Sequence, residues 1–148
     1  RDRVRAWLAD SGAERIDVRI EGLGSSQRID YQLTADRKKK PARADGGVAE
    51  AVEQLRHAQA LPRHGAWLRS HLWMDTDMDA DRGVLHQESD WMGEPELGDG
   101  EPDTDRCTEE LEMHPREPEL TPHWLRTRSG IDKPGPTYSP PVPSSRRS

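Results

Sequence analysis

Two runs near the start of the chain alternate between apolar and polar residues. In ERIDVRIEG, Ile16, Val18 and Ile20 are separated by Asp17 and Arg19, and in QRIDYQLT, Ile29, Tyr31 and Leu33 are separated by Asp30 and Gln32. A period of two marks a half-buried strand, and the intervening LGSS reads as a tight turn, so an antiparallel hairpin is predicted. Ahead of it, Val4, Trp7 and Leu8 fall at helical spacing, with Gly12 placed as a C-terminal cap. This predicts the end of an amphipathic helix. Because the chain starts at Arg1 rather than Met, an N-terminal truncation is expected. After the hairpin, Val48, Ala51, Val52, Leu55 and Ala58 form a helical apolar stripe between Gly46-Gly47 and Pro62. That stripe predicts a second helix with a core-facing side.

GAWLRSHLWMD follows, with Leu68, Leu72 and Met74 on one face of a predicted strand and Trp67 and Trp73 on the other. Both faces are then partly covered, which suits a central strand. DTDMDADRG reads as a charged hairpin tip returning through Gly83 into a strand over VLHQESD. Further on, Thr104 or Asp105 is placed to cap a helix through Leu111 and Met113 that Pro115 stops. Pro118 and Pro122 frame a turn that presents Trp124 and Leu125 to the sheet. From Ser129 onward the chain is rich in Pro and Ser, and disorder is expected. The fold class predicted is α+β: an antiparallel sheet of about four strands with flanking helices, in one domain over 1–128, then a disordered tail over 129–148.

Composition thins the expected core. Among 148 residues, 31% are hydrophobic and 34% charged, and there is no Phe. The core must rest on Leu, Val, Ile, Met and Trp and should be small. The net charge of −6 conceals an asymmetry: seventeen acidic and three basic residues lie between His71 and Leu120. The remaining residues hold 11 acidic groups (28 minus 17) and 19 basic ones (22 minus 3). Such an acidic half argues against nucleic acid as its partner and favours a basic protein surface. The run Arg37–Lys40 lacks interleaved aromatics and reads as a solvated hairpin tip or loop. No apolar stretch reaches the roughly 20 residues of a membrane span. Cys107 is the one cysteine, so no internal disulfide can form, which fits a cytoplasmic protein. It is read as a helix residue without special chemistry.

No catalytic residue is assigned. Glu88, Asp90, Glu94 and Glu96 surround Trp91, and paired carboxylates can serve acid–base chemistry. Nothing around them in the sequence supplies the apolar pocket that would raise one pKa, so they are read as a solvated acidic face. Asp75, Asp77, Asp79 and Asp81 match the first four ligand positions of a calcium loop. However, Ala80 replaces the required Gly and His86 the closing Glu. His64 and His71 lack further ligands at metal spacing. No metal or cofactor is assigned.

Late in the chain stand Gly65-Ala66-Trp67, Glu88-Ser89-Asp90-Trp91, Glu110-Leu111-Glu112-Met113-His114-Pro115-Arg116 and Pro122-His123-Trp124-Leu125. In this order they resemble the YezG-like immunity proteins of bacterial polymorphic toxin systems, especially the actinobacterial forms. The likeness covers roughly residues 14–126. It departs from the family in the acidic strand, which reads VLHQESD without the usual aromatic–acid alternation, and at His114, where an aromatic is usual. What the resemblance implies is a non-enzymatic inhibitor that binds a cognate protein toxin with a basic surface, often a nuclease. Partner binding is expected at Trp73, Glu88, Asp90, Trp91, Glu94 and Glu96, the carboxylates steering association and a tryptophan anchoring it. The alternatives are an acidic interaction module with another basic partner and, further off, a calcium-binding protein.

Overall fold

The computed structural model describes residues 2–76, 84–98 and 103–129. Helix α1 spans Asp2–Ser11, strand β1 Arg15–Leu23, β2 Ser26–Ala35 and β3 Lys38–Ala42. Helix α2 spans Gly46–Ala58, strand β4 Arg69–Asp75 and β5 His86–Asp90. Helix α3 spans Thr104–Met113, and after a 3-10 turn over Pro118–Leu120, α4 spans His123–Ser129. The strands form one antiparallel five-stranded sheet in the order β3-β2-β1-β4-β5. The α+β class therefore stands, with one strand beyond the four or so expected.

That additional strand is β3. The basic run had the look of a hairpin tip, but Asp36 and Arg37 form the tip, with left-handed φ of 52° and 63°. A two-residue turn of this hand matches the twist of the flanking strands and sends the lysines back along β2. There was no Gly to signal it. Lysines and Pro41 on this edge strand also discourage pairing with other chains.

Alternation in β1 puts Ile16, Val18 and Ile20 on the face that the helices cover, paired across to Met74, Leu72 and Ser70 of β4. Val4 and Leu8 of α1 and Val48 and Val52 of α2 close over them as the main core. Asp45 caps α2 by accepting from the Gly47 N–H at 3.2 Å. Trp67 departs from the expected alternation. It precedes β4, turns into the main core at 1% exposure, and donates its Nε1–H to Gln59 Oε1 at 2.7 Å. Strand parity does not apply outside the strand.

A second apolar cluster joins Leu23, Leu68, Cys107 and Leu125, with Leu111 and Trp124 at its margin. It seats α3 and α4 against the end of the sheet. The cap of α3 is Asp103, ahead of both expected candidates, Thr104 and Asp105, and it accepts from the Arg106 N–H at 2.8 Å. Pro115 ends the helix as anticipated, with His114 as its C-terminal cap. Of the tail expected to be disordered, Ser129 instead closes α4, and residues 130–148 lie outside the described residues.

Between the two clusters lies a charged clamp. Arg56 of α2 and Glu110 of α3 are both fully buried, with Nη2 and Oε1 2.5 Å apart. Their approach lies off a good hydrogen-bond angle, so the contact is chiefly ionic. Arg56 Nε–H also donates to the Trp67 carbonyl at 2.6 Å, and Glu110 Oε1 accepts the Gly24 N–H at 2.7 Å. The helices and the β1–β2 turn are thus tied through one ion pair. Gly22 makes room for it, since a Cβ there would meet Arg56 Cδ at 2.6 Å.

The motifs behind the family resemblance serve this framework. Gly65 takes a φ of +79°, and a Cβ on it would meet Arg116 Nε at 2.5 Å. Arg116 donates to the carbonyls of Ala66 and Leu120 at 2.7 and 2.9 Å, and burial pulls its pKa below the usual guanidinium value. Trp124 Nε1–H donates to the Met92 carbonyl at 2.7 Å. Leu125 is fully buried. Trp124 and Leu125 therefore fold back onto the body, as the proline frame predicted.

Candidate partner-binding face

Helices cover one side of the sheet, and the other side presents the polar positions of each strand. Register aligns them: Trp73 lies between Asp17 and His86, His71 between Arg19 and Glu88, and Arg69 between Glu21 and Asp90. A shallow depression of about 310 Å³ opens there, lined by Arg19, Glu21, Arg69, His71, Glu88 and Asp90, among others.

Trp73 is a half-covered platform. Its ring stacks on the His86 imidazole at 5.1 Å, the His71 ring is tilted against it at 4.8 Å, and the Arg15 guanidinium lies 5.6 Å from its centroid. Beneath them Asp17 is buried, a costly place for a carboxylate unless it is paired. Burial opposes its ionisation, but hydrogen bonds from Arg15 and His71 outweigh that and hold its carboxyl below the usual carboxylate range. The His71 Nε2 to Asp17 Oδ1 distance is 2.7 Å. A ring so held is oriented, and it braces Trp73.

The other expected site residues separate. Among the described residues the Glu88 carboxylate has no hydrogen-bond or ion-pair partner, and neither does the Arg19 guanidinium on the far side of His71. Asp90 shares the face, but its Oδ1 accepts the backbone N–H of Met92 and Gly93, both at 2.9 Å. Those bonds keep its pKa below the ordinary value and shape the turn after β5. Glu96 reaches the rim, 3.8 Å from Arg69, while Arg69 pairs more closely with Glu21 at 2.8 Å. Glu94 is bound to Arg128 of α4 at 2.8 Å. Trp91 packs toward the helix-covered side against the main core and, with Trp67 and Leu61, lines a different hollow. Trp73, Glu88 and Asp90 therefore share one face, Glu96 borders it, and Trp91 and Glu94 lie apart from it.

The face carries both signs of charge. Arg15, Arg19 and Arg69 had not been associated with it, although the alternation of β1 and β4 places them beside the carboxylates once the strands are paired. Of the aspartates compared with a calcium loop and read instead as a charged hairpin tip, Asp75 lies 3.6 Å from Arg15, and residues 77–83 are outside the described residues. His64 bonds the Pro62 carbonyl and His71 bonds Asp17, so each is engaged separately. Among the described residues no three His, Cys, Asp or Glu side chains are grouped to hold a metal ion, and no helix is long and apolar enough to cross a membrane.

Cys107 is fully buried, and burial pushes its thiol up to about 11. Because the thiolate is the reactive form, native protein should react with a thiol-specific disulfide reagent only as fast as it opens. Full labelling within the mixing time under native conditions would contradict this burial.

Comparison with protein-family models, with curated proteins and with solved structures finds no match for this chain.

Proposed function

We propose that this protein is a non-enzymatic, immunity-type binding protein of the bacterial cytoplasm that neutralises a cognate toxin through the open face of its sheet. The observation that carries this reading is Glu88, a carboxylate without a partner among the described residues, on an edge strand beside the braced Trp73 platform and in a shallow polar depression. A cationic side chain of a partner could pair with Glu88 while its stem covers Trp73, combining charge attraction with apolar contact. The resemblance of the closing motifs to YezG-like proteins supports a toxin, such as a nuclease with a basic cleft, as that partner. Blocking the cleft would need no chemistry from this chain.

Glu88 is also the clean probe of the face, because reversing Asp90 or Glu94 would disturb a turn or an ion pair. Expressed beside a toxin domain from the neighbouring reading frame, the protein should restore growth. Glu88→Lys should weaken the purified complex by roughly tenfold or more and flatten its dependence on salt. Unchanged affinity in that variant would move the interface elsewhere, and no protection from any adjacent toxin would remove the immunity reading. A basic partner unrelated to toxins would then be the next candidate for the same face.

A further inference from the structure

The seam between α2 and α3 contains a second feature, independent of the open face. His57 lies next to Arg56 on α2, and His114 ends α3 four residues after Glu110. Nδ1 of His57 and Nε2 of His114 are 2.7 Å apart, with ring centroids at 5.0 Å. At that separation one nitrogen must carry the hydrogen and the other must offer a lone pair. The neutral pair satisfies this, and so does the pair with one added proton. With two added protons both facing nitrogens carry hydrogen, and the bond becomes a repulsion between like charges.

We propose that the His57–His114 pair is an acid-opened latch that releases the α3–α4 unit from the sheet while the sheet itself stays folded. The surrounding charges define its response. Arg56 from α2 and Arg116 from the segment after α3 disfavour further positive charge, whereas Glu110 from α3 favours it. Burial is the largest influence and pulls the His114 pKa below its ordinary value, with Glu110 opposing. A folded value below the open-state value means that closure is fully favoured above about 6.5, the free imidazole value, and is lost as pH falls through the folded value.

The latch is not the sole tie. The buried Oε2 of Glu110 has no hydrogen-bond partner among the described residues, so the clamp beside the latch is itself incompletely satisfied. What the latch holds is specific: α4 contributes Trp124, bonded to the Met92 carbonyl, and Arg128, paired with Glu94. Opening therefore also frees the segment that follows β5.

The test is amide hydrogen exchange on the whole chain between about pH 7.5 and about pH 5, which spans the ordinary imidazole value, corrected for intrinsic rates. Amides of α3 and α4 should lose protection relative to β1 and β4, by about tenfold for each unit separating the open and closed imidazole values. His114→Phe keeps an aromatic ring but removes one of the two facing nitrogens, so no repulsion between paired protons can form and its α3–α4 protection should stay level across the window. Wild-type α3 protection that does not change, or an equal loss in His114→Phe, overturns the latch. Should that variant fail to fold, the imidazole titrations of the wild type decide. Coupled curves with His114 displaced downward support the latch, and two independent curves at the ordinary value refute it.

Discussion

Arg56→Met lowers the free energy of unfolding by about 3–5 kcal/mol, because it leaves the Glu110 carboxylate buried without its cation. For a domain whose total stability is expected in the range of about 5–15 kcal/mol, this is a large fraction. The cost comes from desolvation of the surviving charge rather than from a strong attraction in the pair. The double variant Arg56→Met/Glu110→Leu should accordingly recover more than half of the loss, although the Trp67 carbonyl and the Gly24 N–H would still lose their partners. Urea unfolding of the three proteins measures both quantities. A single-variant loss of about 0.5 kcal/mol, the size of a surface change, would mean that water reaches this pair.

Trp67→Ala should cost about 3–5 kcal/mol as well, for a different reason. The indole fills the junction of the main core with the start of β4, and its removal leaves a cavity with little freedom to collapse between sheet and helix. Trp73→Ala offers the contrast. That ring lies on the open face against two imidazoles, so its loss should be about 1 kcal/mol. Thermal unfolding of the two variants ranks them directly. Equal losses would show that Trp73 supports the core as much as Trp67 does.

The hairpin, α2, the helix after the acidic segment and the proline-framed Trp124 could all be read from period and punctuation. These features are local, and the residues that specify them are within a few positions of one another. The clamp could not be read this way. Arg56 falls on a helix whose apolar stripe accounts for its fold, and Glu110 is one acid among many in an acidic segment. Their joint burial depends on contacts 54 residues apart in sequence, the difference between their numbers. The open face was half legible. Alternation marked Trp73 with His71, and Glu88 with Asp90, but only pairing of β1 with β4 put Arg19 and Asp17 beside them.

By itself the sequence determined most of the strands and helices, β3 and α4 excepted, because side-chain period and capping act over a few residues at a time. Tertiary structure decided where each charge and each tryptophan lies, because register and the packing of α3–α4 set burial, and burial governs what a charge costs. That is why Trp67 belongs to the core, Trp73 to the open face and Trp91 to the helix-covered side, although the three look alike along the chain.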